Sequence, residues 1–219
     1  MCIRDSDKAF QGAVVDTKMS DLQVLSAKLR FAFPGVSVTT TVQEFSDVLK
    51  QPGVRTKVSN GRTILGLTKD GKVFINPEVA SLGTPIHEFG HIWIDYLRSK
   101  ASGKKGTQLL ERGLKLVEGT PELQAAIEKY GDNKLAREEA LVELMATKGE
   151  TIINAAKKSK FQEWMNATFK YIKQKMVGTK ELNIKAIEDM TLEQFVDTGL
   201  ADLFGGVELS ADFNAQEAA

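Results

Sequence analysis

The only two histidines of the 219-residue chain, His87 and His91, stand four positions apart in the sequence His-Glu-Phe-Gly-His. On a helix these positions lie on one face, about 6 Å apart along the axis, so both imidazoles can reach one metal ion. Zinc binds imidazole nitrogen readily, and a catalytic zinc site keeps one position for water. Glu88 can reach that water as general base. The H-E-x-x-H pattern therefore predicts a zinc site with a zinc-activated water.

A short motif also arises by chance, and a histidine on a helix is usually an ordinary packed side chain. Two histidines placed at random in such a chain fall four apart in roughly one case in a hundred, and a glutamate after the first lowers this to roughly one in a thousand. Because both histidines of the chain lie within the motif, we favour the metal site over coincidence.

The chain begins with Met-Cys-Ile-Arg-Asp-Ser. This segment matches the translation of a transposase adapter that is used to build sequencing libraries. We therefore expect residues 1–6 to be an artefact fused to a fragment whose native start is missing, and we exclude them from fold prediction. The alternative is a genuine N-terminus.

The zinc site needs a third protein ligand, and composition limits the choice. No third histidine is present, and the single cysteine, Cys2, lies in the suspected artefact. The remaining common zinc ligand is a carboxylate, in a His₂Glu arrangement.

The best candidates for this carboxylate lie in a predicted helix over residues 134–148. Glu139 and Glu143 share one face by their i, i+4 spacing. We favour Glu139 as the ligand, with Glu143 fixing a histidine tautomer by a hydrogen bond. Glu138, about 100° away around the helix, is the rival ligand, and a solvated surface role is the alternative for all three. Gly90 would let such a segment pack closely against the motif helix.

Asp95 continues the face of the motif helix that carries the two histidines. It is a candidate to support the histidines from behind. A surface acid is the equal alternative.

Several of these residues together resemble the gluzincin zinc metallopeptidases of the anthrax lethal factor type: His87 to His91 with Asp95-Tyr96, Tyr130-Gly131 and Glu139-x-x-x-Glu143. The chain also resembles the zincin-like domains of large phage and mobile-element proteins, in which a strand, a Thr-Pro dipeptide and H-E-F-x-H follow in that order. The resemblance covers roughly residues 60–150, and its specific part is H-E-x-x-H with the later glutamate. It implies a zincin-like fold, with zinc bound by His87, His91 and Glu139 and water activated by Glu88.

Two further roles follow from the resemblance. Tyr130 would donate to the oxyanion of the tetrahedral intermediate, although it lies farther from Glu139 than in the family's pattern, and packing at a helix end is the alternative. In zincins an edge strand beside the cleft binds an extended peptide by β-augmentation. Residues 72–76, with Val73, Phe74 and Ile75, are the candidate because they directly precede the motif helix, and an ordinary core strand is compatible with that role.

We therefore expect a zinc metalloendopeptidase that acts on a peptide or protein substrate. One alternative is a phage or mobile-element module whose zincin fold serves assembly or binding, with little protease activity. Another is a toxin-like protease that cuts one host protein. The balance of 29 basic and 29 acidic side chains argues against a nucleic-acid binder. No apolar run approaches the roughly 18 residues of a membrane helix, which argues against an integral membrane protein.

The elements that must position these residues form an α+β pattern. The first third predicts a helix from residue 20 and a small, mostly antiparallel sheet, with a hairpin turn at Asp70-Gly71 between residues 63–68 and 72–76. Thr84 is the predicted N-cap of the motif helix, with Pro85 at the first helical position.

The sequence also predicts the remaining helices and strands and the domain boundaries. A strand is predicted over residues 36–42 and helices over residues 43–50, 87–100, 107–117, 121–130, 134–148, 159–176 and 191–204. The predicted organisation is an irregular segment 7–19, a zincin-like metallopeptidase domain 20–150, a helical extension 151–206 and a disordered tail 207–219.

Overall fold

Seven α-helices and a small mixed sheet make up the described part of the chain, which in this computed structural model is residues 2–5, 19–33, 35–52, 54, 64–154 and 187–205. The strands are β1 (Cys2–Asp5), β2 (Ser37–Thr39), β3 (Ile64–Lys69) and β4 (Lys72–Ile75). The helices are α1 (Met19–Ala32), α2 (Val42–Leu49), α3 (Gly83–Arg98), α4 (Gly103–Leu116), α5 (Pro121–Tyr130), α6 (Lys134–Asn154) and α7 (Leu192–Gly205). The predicted α+β class is confirmed, and helix dominates.

The sheet has the strand order β1-β3-β4-β2. β3 and β4 form the predicted antiparallel hairpin, and the turn residues Asp70 and Gly71 have φ angles of 51° and 67°. These left-handed angles are those of a primed hairpin turn. β2 pairs parallel with β4, and β1 pairs antiparallel with β3. β4 therefore lies inside the sheet, with a partner strand on each side.

The motif helix α3 is the centre of the hydrophobic core. Thirteen of its sixteen residues are buried. The Phe89 ring packs at a tilt against that of Phe33, with centroids 5.7 Å apart, and Trp93 meets Phe195 of α7 edge to face at 5.6 Å. Trp93 Nε1 also donates to Asp202 Oδ2 of α7 at 2.9 Å. A helix covered on nearly every side offers its polar residues to protein rather than to water.

Helices α3 and α6 approach each other closely at Gly90. A Cβ atom at this position would lie 3.0 Å from Val142 Cγ1 and 3.2 Å from Val142 Cβ. The expectation that Gly90 admits a closely packed segment is confirmed, and that segment is α6. This contact brings the carboxylates of α6 within reach of the histidines.

The start of α3 differs from the prediction. The helix begins at Gly83, its N-cap residue Leu82 offers no side-chain cap, and the predicted N-cap role of Thr84 is wrong. Part of the cap comes from α6, where Glu150 Oε2 accepts hydrogen bonds from the Gly83 amide at 3.2 Å and from Ser81 Oγ at 2.9 Å. A carboxylate here also faces the positive end of the helix dipole. Ser81 Oγ accepts from the same Gly83 amide at 3.2 Å, so a local acceptor and a tertiary acceptor share the first amide of the helix.

Most other predicted helices lie close to their expected bounds, and α6 continues past residue 148 to Asn154. The predicted helix 159–176, most of the irregular segment 7–19 and the tail 207–219 lie outside the described residues. The domain division stays a prediction, while Phe195 and Leu200 of α7 belong to the same core cluster as α3. None of the helices in the described residues is long and apolar enough to cross a bilayer.

The Glu150 cap predicts a loss of stability in Glu150→Ala. Removing an N-cap acceptor costs about 1 kcal/mol of unfolding free energy, which lowers Tm by about 2–4 °C in a chain of this size. Glu150→Gln keeps an oxygen acceptor and should lose less. Thermal unfolding by circular dichroism measures the effect, with Glu128→Ala, an exposed change on α5, as control. Equal Tm values for Glu150→Ala and Glu128→Ala would contradict the cap.

Candidate metal centre

Three buried side chains converge between α3 and α6. His87 and His91 of α3 and Glu139 of α6 each offer one ligand atom, and these atoms lie within 4.8 Å of one another. Their residues are only 3%, 6% and 7% exposed. Within the described residues, no other group of three or more His, Cys, Asp or Glu side chains meets these conditions.

The spacing of the three ligand atoms fits a single metal ion. His87 Nε2 and His91 Nε2 are 3.1 Å apart, and each lies 3.6 Å from one oxygen of Glu139. Ligands at zinc distances and tetrahedral angles lie about 3.3–3.4 Å from one another. The histidine rings meet edge to face with centroids 4.9 Å apart, as i, i+4 side chains on one helix face can. The residues present could therefore hold one ion.

The charge states of these groups suit metal binding. Burial lowers the pKa of His91 to about 4, although the nearby Glu139 carboxylate acts in the opposite direction. Burial raises the pKa of Glu139, but His91, His87 and Lys129 act in the opposite direction, and the net pKa of Glu139 lies below its ordinary value. At neutral pH the site thus presents a neutral imidazole and a carboxylate, the forms that bind metals.

Glu143 lies behind the first histidine. Its Oε2 is 3.1 Å from His87 Nδ1, on the ring side opposite the cluster. A carboxylate accepts there, so Nδ1 carries the ring proton and Nε2 keeps its lone pair for the cluster. The i, i+4 spacing of Glu139 and Glu143 predicted this hydrogen bond between Glu143 and a histidine ring.

Glu138 and Asp95 both form ion pairs with Arg98 rather than contacts with the histidines. Arg98 Nη2 lies 2.6 Å from Glu138 Oε1, and Arg98 Nη1 pairs with Asp95 Oδ1. The rival ligand is therefore turned away from the cluster, and Glu139 is the acid of α6 that joins it. Asp95 contributes to a bridge between α3 and α6, where burial raises its pKa and Arg98 opposes that shift.

Glu88, the predicted general base, is fully buried under strand β3. Its Oε2 accepts a hydrogen bond of 2.7 Å from Thr68 Oγ1. A Cβ atom on Gly66 would lie 3.1 Å from Glu88 Oε1 and 2.8 Å from Thr84 Cγ2, so only glycine fits there without a shift. The sequence motifs do not point to Thr68 or Gly66, although a glycine inside a strand pattern is a signal of close backbone approach.

The expectation of an edge strand at residues 72–76 is wrong. β4 has β3 on one side and β2 on the other, so its backbone groups are already paired. Val73 and Ile75 are fully buried in the core, and Phe74 packs against a second apolar cluster under α2. The parallel strand β2, which takes the second side of β4, is the reason. The strand that lies over Glu88 is β3.

Tyr130 ends α5 and is partly buried against the core. The ammonium of Lys129 lies 4.9 Å from the centre of its ring. Lys129 is also close enough to Glu139 for its charge to lower the pKa of that carboxyl, so this end of α5 lies near the cluster. The oxyanion role of Tyr130 stays a prediction.

No family model, curated protein or solved structure matches this chain. The interpretation of the site rests on its own geometry and chemistry.

The cluster predicts which acid of α6 binds metal. Glu139→Ala removes a ligand atom and should weaken zinc binding by more than about 100-fold, since loss of a residue that only supports a ligand already costs about 10–100-fold. Glu138→Ala breaks the Arg98 bridge and should change zinc affinity by less than about tenfold. Competition titration with a chromophoric chelator measures both. The reverse order of effects would identify Glu138, and not Glu139, as the metal ligand.

Proposed function

We propose that this chain is a zinc-dependent metalloendopeptidase of the gluzincin type, with a zincin-like arrangement of α3, α6 and the sheet. The observation that carries the proposal is the buried cluster of His87, His91 and Glu139, with Glu88 next to it on the same helix. Two imidazoles and one carboxylate are the protein ligands of known zinc hydrolases.

The donor set favours zinc over the common hard cations. Calcium and magnesium prefer sites made of oxygen atoms, whereas two of the three donors here are nitrogens. This mixture of nitrogen and oxygen donors supports zinc as the cofactor.

The chemistry assigned to this site is hydrolysis of a peptide bond. Bound zinc supplies Lewis acidity, which polarises a carbonyl and lowers the pKa of water to about 7. Glu88 takes a proton from the attacking water as its oxygen bonds to the scissile carbonyl carbon. Glu88 then passes that proton to the amide nitrogen as the C–N bond breaks.

The strand edge beside the site belongs to β3, and we assign the substrate-binding role expected of β4 to that edge. An extended peptide binds by pairing with open backbone groups of a sheet edge. The outer edge of β3 runs past Gly66 and Thr68, the two residues that lie over or bond to Glu88. In the structure Cys2–Asp5 of β1 occupy this edge, so β3 is open to a peptide only without β1, which lies within the expected artefact 1–6.

One observation favours the alternative of a zincin-fold module for assembly or binding. Glu88 is fully buried and the three cluster residues are at most 7% exposed. Structural zinc sites are closed in this way, whereas catalytic sites keep an open position. In that case the same residues hold zinc without turnover.

Metal analysis together with Glu88→Gln tests the proposal. We expect about one zinc per chain, loss of zinc on chelation, and cleavage of a peptide library that disappears with the metal. Glu88→Gln should retain zinc and lose at least about 100-fold in cleavage rate, the usual contribution of a general base. Elemental analysis and mass spectrometry of the products measure these quantities.

Three other outcomes have distinct meanings. Cleavage retained in Glu88→Gln refutes this residue as the base. Zinc bound by a wild-type protein that cleaves no peptide favours the assembly module. Absence of zinc from both proteins refutes the metal site.

The pairing of β1 with β3 predicts that removal of residues 2–6 raises peptide cleavage. The deletion opens the edge of β3, so the apparent KM for an extended peptide should fall several-fold while the zinc content stays the same. Ile3→Pro, which removes one backbone donor from β1, should act in the same direction. Steady-state kinetics measures both. An unchanged KM in a folded deletion variant contradicts the assignment of this edge to substrate.

A further inference from the structure

A threonine of the sheet holds the carboxylate of the motif glutamate. Thr68 Oγ1 donates to Glu88 Oε2 over 2.7 Å, a bond that joins β3 to α3 across 20 positions of sequence. The same hydroxyl lies 3.4 Å from the Glu88 carbonyl oxygen, which is a much longer contact. A hydroxyl has one proton to donate, so the short contact to the carboxylate receives it.

The surroundings leave the Glu88 side chain little room to turn. Gly66, two residues before Thr68, lies so close that a Cβ atom there would approach Glu88 Oε1 to 3.1 Å and Glu88 Cγ to 3.2 Å. The side chain is therefore confined by the strand backbone along its length and by the Thr68 hydroxyl at its end. A glutamate normally loses several freely rotating bonds when it is ordered in this way.

Thr68 differs in this respect from the other threonine beside the site. Thr84 lies one helical turn before Glu88 and is fully buried, with its Cγ2 methyl group packed towards Gly66. Among the described residues, the Thr84 hydroxyl has no hydrogen-bond partner. Thr84 acts by packing, while Thr68 acts by its hydroxyl.

We propose that Thr68 is a positioning residue that fixes the orientation of the Glu88 carboxylate. The effect of Thr68 on catalysis rests on the proposed function of Glu88 as general base. A base must stand within hydrogen-bond reach of the proton that it takes, and small displacements of such a group cost large factors in rate. Without the Thr68 hydroxyl, Glu88 keeps its place on α3, and its carboxylate loses the hydrogen bond from β3.

Kinetics of three variants test the catalytic consequence. Thr68→Val keeps the shape of the side chain and removes the hydroxyl, so kcat should fall by about 10–100-fold, with KM and zinc content unchanged. Thr68→Ser restores the donor and should recover most of kcat. Thr84→Val makes the same chemical change at the packing threonine and should alter kcat by less than about twofold.

A double-mutant cycle on thermal unfolding tests the contact without any assay of activity. In the wild-type background Thr68→Val should lower Tm by about 5 °C, as expected for a hydrogen bond to a charged group. In a Glu88→Met background, which lacks the carboxylate, the same change should lower Tm by less than about 1 °C. Equal shifts in the two backgrounds overturn the inference, whatever the activity.

The two sets of measurements separate the inference from the function that it deepens. If Glu88→Gln is inactive and Thr68→Val cleaves as fast as Thr84→Val, the inference is overturned and the proposed function stands. If the wild-type protein cleaves no peptide while the cycle shows coupling, the proposed function is overturned and the Thr68–Glu88 contact stands.

Discussion

The arrangement of the site depends on the close packing of α6 against α3 at Gly90. Because Gly90 has no side chain, Val142 packs close to the backbone of α3. An added Cβ at Gly90 would lie only 3.0 Å from Val142 Cγ1. Since α6 carries the carboxylates and α3 the imidazoles, this separation decides whether Glu139 reaches His87 and His91. The helix pays a cost in propensity for a glycine in its interior, and the packing of the two helices offsets it.

One face of α6 supplies partners for the two buried histidines and for the first amide of α3. Glu139 joins the two histidines, Glu143 bonds to His87 Nδ1, and Glu150 caps the first amide of the helix. At 100° per residue these three glutamates lie within about 40° of one another around α6. A buried imidazole or amide group without a hydrogen-bond partner lowers the stability of the folded protein. These three glutamates supply such partners and so allow a polar motif to be buried in the core. The remaining polar residue of the motif, Glu88, takes its partner from the sheet instead.

Local patterns predicted much of this fold. The Asp70-Gly71 hairpin, the helices near residues 121–130 and 191–204, and the shared face of Glu139 and Glu143 follow from turn chemistry and from helical spacing. The errors lie where distant segments meet. The N-cap assigned to Thr84 is wrong because the helix begins at Gly83, whose amide is bound by Glu150 of another helix as well as by Ser81. The open edge assigned to β4 was wrong because β2 pairs with it in parallel.

The sequence by itself determined that two imidazoles share one helix face, and that a further His or Cys ligand is lacking in the chain after residue 6, which leaves an acid as the candidate partner. Both conclusions need only the geometry of a helix and a count of residues. The tertiary structure decided that Glu139 faces the histidines while Glu138 turns to Arg98, and that Thr68 and Gly66 lie against Glu88. Helical periodicity places a side chain around its own axis, but it does not determine which surface of another element lies opposite. That is set by the packing of the whole core.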